Sequence, residues 1–297
     1  MDTSSLFRVD GMVAVVTGGG TGIGLMMSRA LIGAGASKVY ILGRRKDILD
    51  AVAAENKGLV AVECDVTSKE SLQSAVDHIT GDAGYVNLLI ANSGIIGPTN
   101  RLNHDISIHE LRKSVFEDVS IDEFTQTLNV NVTGAYFSML AFLELLDAGN
   151  KTALKGGFGS PLKDGSNVPS IQSHVIFTSS LAAYSRHSST PAAYAASKAA
   201  LSHLAKHSST NLAKYEIRVN ALAPGLFPTE LAISLTASRD PGTESINDSK
   251  YIPARRFGEP EEMAGAILYL ASRAGSFCNG LILVNDGGRL SMIASEY

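Results

Sequence analysis

The segment that most restricts the fold lies between positions 12 and 24. An apolar run, Met12-Val13-Ala14-Val15-Val16, passes directly into Thr17-Gly18-Gly19-Gly20-Thr21-Gly22-Ile23-Gly24, and a stretch with helical periodicity follows. Strand, glycine-rich turn and helix in that order make a seat for a diphosphate. A helix N-terminus carries unsatisfied N–H groups and a partial positive charge, and glycine lets an anion reach the backbone without meeting a Cβ. Gly18, Gly22 and Gly24 give the spacing Gly-x-x-x-Gly-x-Gly, with Gly20, Thr21 and Ile23 between them. That is neither the Gly-x-Gly-x-x-Gly dinucleotide fingerprint nor a Walker sequence, since no Gly-Lys-Ser/Thr follows.

Further β-rich apolar runs recur at Lys38 to Leu42, Leu59 to Asp65, Val86 to Ala91, His174 to Ser179, Ile217 to Ala223 and Leu281 to Val284, separated by helical patterns. Near-continuous apolar runs indicate strands covered on both faces, and their alternation with helices indicates right-handed βαβ crossovers and a parallel, doubly wound α/β sheet. A chain of 297 residues, 45% hydrophobic and 18% charged, has the material for a substantial core. No repeat or Pro/Ser-rich linker divides it, so one domain over residues 1–297 is expected. Three stretches read as elaborations: residues 99–120 as a loop plus short helix, residues 149–173 as a Gly/Pro-rich surface loop, and residues 226–257 as a lid over a ligand.

Charge and cysteine usage narrow the function. The net charge is −4 and no basic run exceeds Arg44-Arg45-Lys46, which gives no electrostatic footprint for nucleic acid or an anionic membrane. A small molecule is the expected partner. The two cysteines, Cys64 and Cys278, lie on separate apolar segments without Cys-x-x-Cys spacing, so neither a disulfide framework nor a thiolate metal site is indicated. The first apolar run is too short and wrongly flanked for a secretory signal or a membrane span, and a cytoplasmic location is expected.

Strand ends carry the chemistry. In dinucleotide-binding folds an acidic residue at the end of the second strand binds the ribose 2′-hydroxyl, whereas arginine accommodates a 2′-phosphate. Here that strand ends Leu42-Gly43-Arg44-Arg45, so Arg44 and Arg45 favour NADP(H) over NAD(H). The third run ends at Asp65-Val66, placing Asp65 where it can bind an adenine amino group, and the fourth ends Asn92-Ser93-Gly94 beside the same crevice. Tyr194 and Lys198 fall one turn apart on one helical face from Pro191 to about Lys214. Thr178-Ser179-Ser180 and Asn131 are expected at the same carboxyl edge.

These segments together resemble the short-chain dehydrogenase/reductase family over nearly the whole chain. The residues that carry the resemblance are Thr17 to Gly24, Asp65-Val66, Asn92-Ser93-Gly94, Asn131, Ser180, Tyr194 with Lys198, Asn220 to Gly225, Thr229, Arg256 to Glu262 and Asp286-Gly287-Gly288. The resemblance implies a Rossmann-like fold of about seven parallel strands, usually in a homotetramer or dimer. It also implies a catalytic tetrad of Asn131, Ser180, Tyr194 and Lys198, with Ser179 the alternative serine. Lys198 is implied to hold the nicotinamide ribose, Asn131 a water of the proton relay, Pro224, Gly225 and Thr229 the nicotinamide border, and Asp65 and Asn92 the adenosine side. In that scheme the Lys198 ammonium and the oxidised nicotinamide favour the tyrosinate form of Tyr194.

The functional expectation is an NADP(H)-dependent ketone or aldehyde reductase acting on a fairly apolar small molecule of secondary or lipid metabolism. A 3-oxoacyl thioester reductase is the runner-up, and a cofactor-sensing scaffold on the same fold is the alternative from another class. His203 and His207 have metal-pair spacing but no third ligand, and a surface or subunit-interface role is preferred over a metal. Glu259, Glu261 and Glu262 read as first-turn helix residues, not an acid/base pair. No Gly-x-Ser-x-Gly elbow supports hydrolysis.

Overall fold

A computed structural model describes residues 3, 5–102 and 105–295. The apolar runs become β1 (Val13–Thr17), β2 (Lys38–Gly43), β3 (Leu59–Glu63), β4 (Leu88–Ala91), β5 (His174–Thr178), β6 (Arg218–Pro224) and β7 (Ile282–Asn285). They form one seven-stranded sheet in the order β3-β2-β1-β4-β5-β6-β7, every neighbouring pair parallel. Strand order reverses between β1 and β4, and a crevice opens there beyond the carboxyl ends.

The sequence pattern explains the layers. Side chains alternate across a strand, and both sets on β1 are apolar: Val13 and Val15 enter one buried cluster, Ala14 and Val16 the other. On one face lie α1 (Gly22–Gly33) and α2 (Lys46–Glu55), whose Met27, Leu31 and Leu49 join the second cluster. On the other lies α3 (Lys69–Asp82), started by Ser68, whose side chain accepts the Ser71 N–H. Next come α4 (Ile108–Arg112), α5 (Ile121–Leu128), α6 (Ala135–Ala141) and α7 (Leu143–Ala153). The 21-residue α8 (Ala192–Leu212) joins the first cluster through Leu201 and Ala205 and packs on β5, β6 and α5. The short α9 (Ile233–Thr236) precedes α10 (Pro260–Ala271), which returns to the first face with Met263 and Ile267. Among the described residues, no single helix is long and apolar enough to cross a membrane.

The inserted stretches differ from one another. Residues 99–120, of which Asn103 and His104 lie outside the described residues, hold α4 behind a Ser107/Glu110 capping box and then a π-helical turn, Lys113–Glu117. Residues 149–173 are not all loop: α7 continues to Ala153, because Gly149 packs so closely on the sheet that a Cβ would lie 2.3 Å from the Val86 carbonyl oxygen. Asn150 then ties the base, donating to the Glu216 carbonyl at 2.9 Å and accepting the Ser173 N–H at 2.7 Å. In residues 226–257, Phe227 joins the core and, with Leu231 and Leu235, lines a cavity at the carboxyl edge of the sheet. Glu259 and Glu262 form a capping box on α10, the helix-start role expected for this acidic group. His203 and His207 are exposed on α8.

Candidate active site

Thr17 joins the ends of β1 and β4. Its Oγ1 accepts the N–H groups of Asn92 and Ser93 at 2.9 and 3.0 Å, and Asn92 Nδ2 donates back to the Thr17 carbonyl at 3.0 Å. The glycine turn threads through this junction. Gly18 has φ +66° and Gly22 φ +53°, and a Cβ on Gly24 would sit 2.1 Å from the Gly18 carbonyl oxygen. The first turn of α1 carries no acidic residue, and its N-cap Thr21 makes no side-chain hydrogen bond. Among the described residues, Asn92 Oδ1 is buried without a partner. A cradle with glycine walls, unclaimed helix N–H groups and an orphaned acceptor fits a dinucleotide diphosphate.

A cavity of about 840 Å³ runs from this cradle across the carboxyl edge of the sheet, and every cofactor and catalytic residue singled out above except Asn131 lines it. On the adenosine side, Arg44 and Arg45 are exposed. Arg45 stands 3.8 Å from Glu230, while Arg44 contributes to holding the Asp65 carboxyl below its usual range, an effect led by hydrogen bonds from Thr67. Asp65 Oδ1 takes both the N–H and the hydroxyl of Thr67, at 2.9 and 2.7 Å, so Oδ2 is the atom left for a ligand. Gly22 faces Thr229, whose Cγ2 would lie 3.4 Å from a Cβ there, so the lid segment begins directly over the cradle. Gly225 closes onto Asp286, with space for no Cβ. Val66 abuts Gly134 at the start of α6 in the same way.

The reacting edge is built by β5 and α8. The neighbours Ser179 and Ser180 have different surroundings. Ser179 is buried, its Oγ donating to the Lys198 carbonyl and contacting Ser202 Oγ, both at 2.8 Å. Ser180 Oγ accepts the Ala182 N–H at 3.1 Å, and its hydroxyl acts on the Tyr194 phenol, favouring the ionised form. Of the two, Ser180 stands at the phenol. Lys198 is buried, its Nζ donates to the Thr178 carbonyl at 2.7 Å, and it lies 5.6 Å from the Tyr194 ring centre. Burial lowers its ammonium to about 8.

Burial also raises the Tyr194 phenol above the ordinary tyrosine value, against the smaller opposing effect of the Ser180 hydrogen bond. In the protein alone desolvation of the phenolate is the larger effect, and the Lys198 ammonium is directed to the Thr178 carbonyl. The expected bias toward the tyrosinate belongs to the site with an oxidised nicotinamide, whose charge adds to that of Lys198.

Asn131 sits behind the cavity in a π-helical turn, Asn129–Gly134, that interrupts the helix from α5 to α6. Its Oδ1 accepts the Ile95 N–H at 2.8 Å, and Nδ2 donates to the Ile95 carbonyl and to Ser197 Oγ, both at 2.9 Å. Both amide hydrogens are thus committed inside the protein, and the side chain clamps the strand that leaves β4 against α8. A Cβ on Gly94 would lie 3.2 Å from Asn131 Oδ1 and 3.6 Å from Lys198 Nζ, so Gly94 lets that strand pass between them. Two roles went unassigned from the sequence: that of the Thr17 hydroxyl, named only as the first residue of the glycine turn, and that of the Ile95 backbone, which carries no side-chain signal.

A profile described as short chain dehydrogenase matches residues 12–154, and one described as enoyl-(acyl carrier protein) reductase matches residues 162–289. The chain is 71% identical over 272 residues to the short-chain dehydrogenase/reductase SAT3 of Stachybotrys chartarum, covering 91% of this chain and 100% of that protein. It is 46% identical to the short-chain dehydrogenase/reductase PhomF of Diaporthe leptostromiformis, covering 99% of this chain and 96% of the relative. Among solved structures, a gluconate 5-dehydrogenase from Burkholderia cenocepacia in complex with NADP and tartrate superposes with a TM-score of 0.76 at 27% identity, over 97% of this chain and 98% of that one. The chain belongs to the short-chain dehydrogenase/reductase family, and it is an oxidoreductase of alcohol and carbonyl groups.

Proposed function

We propose that this protein is an NADP(H)-dependent reductase that converts a ketone or aldehyde of a fairly apolar small molecule to the alcohol. The observation that carries the reading is Tyr194: a phenol beside Ser180 and one helical turn from Lys198, whose Nζ lies 5.6 Å from its ring centre, on the cavity that begins at the glycine cradle. NADPH, when bound, supplies the hydride to the carbonyl carbon. Ser180 hydrogen-bonds the carbonyl oxygen, Tyr194 gives that oxygen its proton, and Lys198 holds the ribose side while keeping a positive charge near the phenol. Gly18, Gly22 and Gly24 seat the diphosphate, Pro224, Gly225 and Thr229 border the nicotinamide, and Asp65 and Asn92 take the adenosine. Arg44 and Arg45, with no carboxylate at the end of β2, favour the 2′-phosphate.

The apolar lid residues Leu226, Leu231 and Leu235 on the cavity support an apolar substrate body. We place the protein in secondary metabolism, in the cytosol and as a homodimer or tetramer; the free thiols of Cys64 and Cys278 agree with a reducing compartment. Screening ketones, quinones and acyl thioesters for NADPH oxidation tests the reading, with the same screen run on NADH. Turnover with NADPH on at least one ketone is expected. No turnover with either cofactor, beside normal NADPH binding, would favour the cofactor-sensing alternative.

A further inference from the structure

Ser180 and Tyr194 bracket a loop whose His187 lines the same cavity. The backbone N–H of Ser189 donates to His187 Nδ1 at 3.2 Å, and Ser189 Oγ lies 2.7 Å from the same nitrogen. A backbone N–H can only donate, so Nδ1 must supply a lone pair and the neutral ring carries its proton on Nε2. Among the described residues nothing accepts that proton. Of the cationic side chains on the cavity, Arg239 is engaged with Glu244 and Arg289 with the carbonyls of Ser249 and Tyr251, while Arg101 and Lys250 also reach its wall.

The backbone that carries the ring is also held in place. Ser185 Oγ accepts the His187 N–H at 3.2 Å and lies 2.8 Å from Thr190 Oγ1, and the Thr190 N–H donates to the His187 carbonyl at 3.0 Å. From outside, the C-terminal segment braces the loop: Ser185 bridges Ser295, the Arg186 N–H donates to the Ala294 carbonyl at 2.7 Å, and Arg186 Nε donates to the Ser295 carbonyl at 3.1 Å. The same segment contributes Ile293 to the cavity wall. A donor with a fixed tautomer on a braced loop, beside an apolar side chain, is a preorganised recognition element.

We propose that His187 determines substrate specificity: its Nε2–H donates to a second oxygen of the substrate, so the preferred substrates carry an ester, keto or hydroxyl oxygen beside the carbonyl that is reduced. This rests on the reductase reading of the same site. A site built to hydrogen-bond a substrate group discriminates against analogues that lack it, because the site's own polar atom is then left without a partner.

The test uses the full chain and two ketones with equal numbers of non-hydrogen atoms, ethyl acetoacetate and 2-octanone. The ratio of their kcat/KM values with NADPH is measured for the wild type, His187→Phe and His187→Gln, and the His187 ring nitrogens are followed by NMR as each ketone is added to the NADP-saturated protein. The expected result is a preference for ethyl acetoacetate that falls about tenfold in His187→Phe and is partly kept in His187→Gln. The Nε2 resonance should respond to ethyl acetoacetate and not to 2-octanone. An unaltered preference in His187→Phe, or an Nε2 resonance indifferent to ethyl acetoacetate, overturns the proposal. A response at Nε2 without reduction of either ketone would uphold the subsite and overturn the reductase reading. Turnover whose selectivity ignores His187 would do the reverse.

Discussion

At Gly24 a single methyl group decides whether the diphosphate seat can close, since a Cβ there would meet the Gly18 carbonyl at 2.1 Å and Asn92 Nδ2 at 2.6 Å. Gly24→Ala is expected to weaken NADPH binding at least tenfold in a fluorescence titration. Lys198 illustrates a different tension. Its ammonium has an ordinary value of 10.5 and is lowered to about 8 by burial, so between those values the unfolded chain binds the extra proton and stability rises with pH. Below about 8 the charge is buried at a cost on the order of 1–3 kcal/mol. Lys198→Met should therefore be more stable than the wild type at pH 7 by denaturant unfolding, with the difference shrinking toward pH 10, and it should be inactive. At this scale the sequence was legible where local geometry is fixed, as in the one-turn spacing of Tyr194 and Lys198. It did not separate Ser179 from Ser180, because adjacent residues at a strand end face opposite ways and only the folded chain shows which side α8 occupies.

Among the elements, the π turn at Asn129–Gly134 does the most to join distant parts of the site. It sets Asn131 where one amide group satisfies both backbone groups of Ile95 and reaches Ser197 on α8. Asn131→Ala leaves the part-buried Ile95 N–H without its acceptor, at an expected cost of about 1–3 kcal/mol in denaturant unfolding. Hydrogen exchange should quicken at Ile95 well before it changes in β1. The strands were readable because their apolar runs are covered on both faces. The π turn was not, since nothing in Asn129-Val130-Asn131 distinguishes it from ordinary helix, and the extension of α7 through Gly149 depends on contact with Val86 across the fold. The role first given to Asn131 came from resemblance, whereas its contacts come from tertiary packing.

For the whole molecule, the strand order brings residues from position 18 to position 229 to one carboxyl edge, so cofactor choice and proton transfer are read from the same cavity. Arg44 belongs to its adenosine end. Arg44→Ala is expected to raise the Kd for NADPH about tenfold while changing that for NADH less than twofold, measured by titration calorimetry; equal losses would contradict a 2′-phosphate contact. The central claim is that Tyr194 delivers the proton in a site whose cofactor seat is built independently of it. Its most direct test is Tyr194→Phe, assayed for NADPH oxidation with a ketone that the wild type reduces and for NADPH affinity in the same preparation. Turnover reduced at least a thousandfold with the NADPH Kd within twofold of wild type is the predicted result. Turnover close to wild type would contradict it.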